Sequence, residues 1–226
     1  MESGKPIVCV VDDDPAVRKS VSRLLKAEDV DVRTFARANE FLSADLPDGE
    51  SCLLLDLCLP DIDGLKVQEL LAARGKRVST IFISGHGDVP SSVQAMKQGA
   101  VDFLAKPFGR KELLDAIDRA IAKDRDARRS EKEIASLRER FDQLTPRERE
   151  VLALVVAGML NKQAASRLAI AEKTIKVHRA QVMSKMEAKS LADLVRMASR
   201  LGIAETAAES SWTASAREGS SRTVSP

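Results

Sequence analysis

At 226 residues the chain has room for two small domains, and with 44% hydrophobic and 31% charged residues it reads as globular rather than disordered throughout. No apolar run approaches the ~18 residues that cross a bilayer, and MESGKPIVCVVDDD leads into an acidic cluster rather than a secretion signal, so a cytoplasmic protein without a membrane partner is expected. The net charge of +2 conceals an asymmetry: residues 1–123 carry 17 Lys/Arg against 20 Asp/Glu and residues 140–205 carry 12 against 7, so only the back is expected to meet a polyanion.

In chain order, Ile7–Val11, Val32–Phe35, Cys52–Asp56, Thr80–Ser84 and Val101–Ala105 read as strands. The first, third and fourth are nearly continuous apolar runs, as parallel strands buried on both faces require. Between and after them, Pro15–Ala27, Ala38–Ala44, Gly64–Ala73, Pro90–Gln98 and Arg110–Lys123 read as helices, the first opened by an Asp14 N-cap and Pro15. Five strand–helix alternations predict an α/β fold, a doubly wound five-stranded parallel sheet. Cys9, Cys52 and Cys58 are odd in number, lack zinc-ligand spacing and sit among Val, Leu and Ile, so all three read as small core residues of a reduced protein.

Residues 124–143 are highly charged and free of Gly and Pro, with Ile134, Leu137, Phe141 and Leu144 at helical spacing. They read as a charged helical linker whose apolar stripe pairs with a partner chain or packs on its own domain. Residues 144–204 read as a small all-α domain. Thr145-Pro146-Arg147-Glu148 is a capping box, Gly158 ends the first helix, and Asn161 caps a second helix running through Leu168. Glu172–Glu187 forms a third, and a fourth begins at Ser190 with Asp193 and ends near Gly202. Residues 205–226, rich in Ser, Ala and Thr, read as a disordered tail holding Trp212, for which the sequence suggests no role.

The chemistry-bearing residues of the front half fall at strand ends. Asp12, Asp13 and Asp14 follow the first strand, Asp56 ends the third, Ser84 ends the fourth, and Lys106 follows the fifth. Ligands of such sheets sit beyond the strands' carboxyl ends, so the topology gathers carboxylates, a hydroxyl and an ammonium on one rim. A single Asp after a strand is usually a helix cap, the reading given to Asp14. Polar residues at four strand ends are a different matter. Crowded carboxylates need a hard cation such as Mg²⁺, and one of them can then act as nucleophile toward a phosphoryl group.

The segments VVDDDP, LLLDLCLPDIDG, IFISGHGD and DFLAKPF resemble, in order and spacing, the signature blocks of a two-component receiver domain, the match covering residues 5–123. The resemblance implies a phosphoacceptor domain over residues 1–123, with Asp56 as phosphoacceptor and Asp13 as direct Mg²⁺ ligand. Asp12 would act largely through water and the Cys58 backbone carbonyl would complete the site. Ser84 would hydrogen-bond a phosphoryl oxygen and Lys106 would pair with the phosphate. Phe103 lies at the aromatic switch position, where a core aromatic is the competing reading, and without a hydroxyl it offers no hydrogen-bonded switch.

The stretch LTPREREVLALVVAGMLNKQAASRLAIAEKTIKVHRAQVMSKM resembles the LuxR-type helix-turn-helix of the FixJ/NarL regulators. Lys173, Lys176, Arg179 and Lys185 lie on one helix whose Ile175, Val182 and Met186 face a core, a design that suits the major groove. The resemblance makes Lys173, Thr174, Lys176, Val177 and Arg179 groove-facing candidates. His178 reads as a structural or phosphate-contacting residue as readily as a base reader. Ala171 stands where the family commonly has a Ser cap, a loss of about 1 kcal/mol.

The two resemblances together imply a transcription regulator phosphorylated by a sensor histidine kinase, a homodimer when phosphorylated, and double-stranded DNA as target. They imply a phosphoryl-group acceptor with at most slow self-dephosphorylation rather than an enzyme. A flavodoxin-like or phosphohydrolase enzyme using the acidic rim competes, against the absence of a Gly-rich phosphate loop, of Tyr, and of an aromatic pair to stack a flavin. A receiver acting unphosphorylated, by protein contact, is opposed by the complete Asp/Ser/Lys set.

Overall fold

The computed structural model describes residues 5–45, 49–85 and 89–203, excluding the side chains of 89–91. The chain divides into two compact units, Met1–Arg129 and Ser130–Pro226; the tail 205–226 lies outside the described residues.

The first unit is a five-stranded parallel sheet, β1 (Ile7–Val11), β2 (Asp31–Phe35), β3 (Ser51–Asp56), β4 (Ser79–Ser84) and β5 (Asp102–Ala105), in the order β2-β1-β3-β4-β5. It is wrapped by α1 (Pro15–Ala27), α2 (Ala38–Ser43), α3 (Gly64–Ala73), α4 (Val89–Lys97) and α5 (Arg110–Asp142). Every residue of β3 is buried, whereas the edge strand β2 is largely exposed. Val8, Leu54, Ile81 and Leu104 pack beneath Val21 and Leu25 of α1 and Leu113, Ile117 and Ile121 of α5. On the other face, Cys9, Leu53, Leu55 and Phe82 meet Phe41, Val67 and Leu71. Both faces are therefore sealed, and the polar residues of these strands are displaced to their ends.

Register fixes that displacement. Val11 pairs with Leu55, Asp56 with Ile83, and Ser84 with Ala105, so the residues ending or following these four strands share one rim. Asp14 caps α1, its carboxylate accepting from the Ala16 N–H at 2.7 Å. Helix α5 does not end at Lys123: with no Gly or Pro to stop it, it continues to Asp142. Its extension is tied to the opposite end of the sheet, where Asp124 accepts from the Ser51 N–H (3.0 Å) and Arg128 Nε (2.6 Å), and Arg125 grips Glu50.

The second unit packs α6 (Pro146–Val156), α7 (Asn161–Leu168), α8 (Glu172–Lys185) and α9 (Leu191–Arg200) around Val151, Leu152, Ile175, Val182, Met186 and Leu194. Leu137 and Leu144 are buried and Phe141 packs against this core, whereas Ile134 stays 39% exposed, so most of the stripe expected in the linker serves its own unit. Asn161 is not the cap of α7 but its first residue. Leu160 holds the cap position, 69% exposed, and its N–H donates to Gln163 Oε1 at 2.8 Å. Among the described residues no helix is long and apolar enough to cross a membrane.

Candidate functional site

The rim gathers the residues that the strand ends suggest. Carboxylate oxygens of Asp12, Asp13 and Asp56 lie within 4.8 Å of one another, with Asp12 and Asp56 buried and Asp13 exposed. Lys106, directly after β5, donates through Nζ to Asp56 Oδ2 at 2.6 Å. The same Nζ lies 2.6 Å from Asp12 Oδ2, so one ammonium bridges the two buried carboxylates. Asp56 Oδ1 accepts from the Cys58 N–H at 3.0 Å, and Asp12 Oδ1 from the Asp14 N–H at 2.9 Å. Ser84 is buried at the end of β4, beside Lys106, whose N–H donates to the Ser84 carbonyl at 2.7 Å.

One ammonium among three carboxylates leaves the rim short of positive charge. Burial pushes the Asp12 carboxyl above its ordinary range, against the opposing pull of Lys106 and the Asp14 N–H. Burial also works against the Lys106 ammonium, but Asp12 and Asp56 outweigh it and hold its pKa above the ordinary value. An all-oxygen donor set of three carboxylates with a single ammonium between two of them fits a hard divalent cation of the Mg²⁺ type.

Two neighbours of the rim give no local signal in the sequence. A Cβ on Gly64 would lie 2.6 Å from the Asp56 carbonyl oxygen, so only glycine lets α3 approach the end of β3 this closely. Arg18 Nη1 donates to the carbonyls of Asp12 and Asp13. Cys58 departs from expectation: Cys9 and Cys52 are buried, but Cys58 is exposed because it lies in the loop beyond β3. Phe103 is half-buried against the core on the Leu53 face of the sheet.

In the second unit, α8 exposes Lys173, Thr174, Lys176 and Val177, the last 51% exposed, while Ile175, Val182 and Met186 anchor it. Lys176 lies 3.3 Å from Glu172, one turn earlier. Arg179 is half-buried and donates to Asn161 Oδ1 at 3.2 Å, so α7 holds its guanidinium. His178 is half-buried and its Nδ1 is buried with no hydrogen-bond partner among the described residues. Lys185 is committed elsewhere, donating to Glu148 Oε2 at 2.7 Å and to the Gln143 carbonyl at 3.3 Å. Ala171 caps α8 without a side-chain hydrogen bond.

The family model described as "Response regulator receiver domain" matches residues 8–118, and that described as "Bacterial regulatory proteins, luxR family" matches residues 142–198. The chain is 48% identical to Nodulation protein W of Bradyrhizobium diazoefficiens, covering 89% of this chain and 88% of that protein. It is 41% identical to the transcriptional regulatory protein FixJ of Azorhizobium caulinodans, covering 87% and 93%. Among solved structures, the response regulator StyR aligns with a TM-score of 0.75 at 42% identity, covering 87% of this chain and all of that one. Full-length FixJ from B. japonicum aligns with a TM-score of 0.53 at 40% identity, covering 89% and 99%.

Proposed function

Since the chain belongs to the two-component response regulators that join a receiver domain to a LuxR-type DNA-binding domain, we propose that Asp56 accepts its activating phosphoryl group. The observation that carries this is the placing of Asp56: buried at the end of β3, hydrogen-bonded to Lys106, and clustered with Asp12 and Asp13. The donor is a phosphohistidine of a sensor histidine kinase. An Asp56 carboxylate oxygen attacks phosphorus, the phosphorus–nitrogen bond breaks, and an aspartyl phosphate forms. Asp13, Asp56 and the Cys58 carbonyl are assigned to hold Mg²⁺ directly, with Asp12 acting largely through water. When bound, the ion neutralises charge on the phosphoryl oxygens. Lys106 pairs with one of those oxygens and the Ser84 hydroxyl donates to another. Phe103 is the switch aromatic, working by packing alone. The chain's own chemistry ends there, with at most slow self-dephosphorylation.

Residues 1–123 are assigned to phosphoacceptance, 124–143 to the linker, 144–204 to DNA binding and 205–226 to a tail. Phosphorylation shifts an equilibrium toward a homodimer formed through the α4–β5–α5 side. The dimer presents two α8 helices to double-stranded promoter DNA, with Lys173, Thr174, Lys176 and Val177 toward the groove, Arg179 aimed by Asn161, and His178 beside the backbone. The protein acts in the cytoplasm, where kinase and DNA meet. Incubation with acetyl phosphate and Mg²⁺ is expected to give a hydroxylamine-labile phosphoprotein, and Asp56→Asn to abolish it. Undiminished labelling of that variant at the wild-type site defeats the assignment. Sedimentation and gel-shift titration at one fixed salt concentration test the coupling: dimerisation and full-site affinity rise together on phosphorylation, with little gain on an isolated half-site.

A further inference from the structure

The three rim carboxylates are not held alike. Asp56 is fixed by the Cys58 N–H and Lys106, and Asp12 by the Asp14 N–H with Lys106 alongside. The Asp13 carboxylate is exposed and makes no hydrogen bond among the described residues. The main chain sets where its Cβ sits and which rotamers its carboxylate can take, and that main chain is held by Arg18. The half-buried guanidinium donates through Nη1 to the Asp12 carbonyl at 2.6 Å and the Asp13 carbonyl at 2.8 Å. The Arg18 backbone N–H donates to the Asp14 carbonyl at 3.1 Å. One residue in the first turn of α1 thus takes up three successive carbonyls of the acidic loop. Because each peptide is planar, fixing the carbonyls on both sides of Asp13 fixes its Cα–Cβ direction and leaves the carboxylate a few staggered rotamers.

We propose that Arg18 is a positioning residue for the divalent-cation site, locking the Asp12 and Asp13 peptides so that the Asp13 carboxylate faces the ion. It acts through carbonyl oxygens and leaves the carboxylates free for the ion. Its positive charge also lies against a loop of three consecutive acidic residues, offsetting their repulsion before an ion arrives. Groups that orient metal ligands without touching the metal change affinity by roughly 10- to 100-fold when removed. The lower end is expected here, since one of three carboxylates depends on Arg18.

This inference rests on the Mg²⁺ reading of the rim. The test is Mg²⁺ titration of the full-length protein, followed by amide NMR shifts around Asp56, with hydrogen exchange of Asp13–Ala16 measured without metal. Arg18→Ala is expected to raise the half-saturating Mg²⁺ concentration about tenfold and to speed exchange in the loop. Arg18→Lys, whose ammonium still reaches carbonyls as a charged donor, should return to within about threefold of wild type. Should Arg18→Ala not fold, Arg18→Gln carries the same test with the same expected weakening. An unchanged Mg²⁺ midpoint in the folded variant, while Asp13→Ala loses binding, overturns the positioning role and leaves the rim reading standing. Equal weakening by Arg18→Lys and Arg18→Ala overturns charge-supported carbonyl bridging as the cause. A wild-type protein with no saturable Mg²⁺ response overturns both.

Discussion

The two units each bury a carboxylate against a lysine, and the pairs behave in opposite ways. Glu148 is 2% exposed; its Oε2 accepts from Lys185 Nζ at 2.7 Å and from the Thr145 N–H at 2.8 Å. Lys185, then the Thr145 N–H, hold its carboxyl below the ordinary range despite burial. Asp12 is fully buried and equally close to an ammonium, yet burial pushes its carboxyl up. The difference is one of sharing. Lys185 serves a single carboxylate, whereas Lys106 stands between two and aligns its hydrogen bond with Asp56. A carboxylate with an ammonium to itself is a structural device. One that shares its ammonium inside a cluster of carboxylates retains the capacity to bind an ion.

That contrast is open to attack from both sides. Asp13→Ala deletes a carboxylate from the rim cluster, and Mg²⁺ affinity is expected to fall by at least the ~100-fold at the top of the range for groups that only orient metal ligands, with unfolding of the helical unit unchanged. Isothermal titration with Mg²⁺ beside urea unfolding separates the two. Glu148→Ala is the mirror image, removing a cap and an ion pair together. It should destabilise the helical unit by about 2 kcal/mol while the Mg²⁺ midpoint stays put; hydrogen exchange across α6 and α8 reports the loss.

Acid titration sets the same residues against each other without mutation. The Glu148 carboxyl is depressed in the folded protein. Its contribution is therefore present above the unfolded value of about 4 and is lost as pH falls through the lower folded value. The Asp12 carboxyl is raised. Without Mg²⁺ its sign is reversed: its contribution is complete below about 4 and is lost as pH rises through the folded value. Urea midpoints of the two units, read by hydrogen exchange between pH 3 and 6, are expected to diverge on these grounds. Parallel slopes would mean that burial does not raise the Asp12 carboxyl.

Much of this was legible in the sequence because the first unit writes its chemistry at the ends of apolar runs. Where β1, β3, β4 and β5 stop, Asp12, Asp56, Ser84 and Lys106 stand, and a parallel sheet brings strand ends together. The aspartate cluster and Lys106 follow from topology alone. The rest depends on pairings between separate elements, which local periodicity does not encode. Nothing beside Gly64 announces that α3 comes within contact of the Asp56 carbonyl. Lys185 reads as one more cation of a basic helix until Glu148 is found beneath it, 37 residues away. Arg179 likewise becomes a braced guanidinium only when α7 brings Asn161 beside it. Cys58 fails the core reading for a simpler reason, lying just past the strand its neighbours suggest.

The smallest expected effect probes how completely the helical unit fills its own donors. Ser190 caps α9 through its hydroxyl, accepting from the Asp193 N–H at 3.1 Å, while Ala171 holds the same place before α8 with nothing to offer. The Ala171 backbone, at φ −67° and ψ 145°, already lies in the extended region that capping residues adopt. A serine there needs no main-chain rearrangement to reach the N–H groups of the first turn. Ala171→Ser is therefore expected to stabilise the helical unit by about 1 kcal/mol, and Ser190→Ala to destabilise it by about the same amount. Equilibrium urea unfolding, followed through hydrogen exchange of α8 and α9, measures both on one scale. Equal and opposite shifts identify the missing hydroxyl as the weak point of α8. A stabilisation near zero at Ala171 would instead mean that Glu172, at the positive end of the helix dipole, already does the work of the cap.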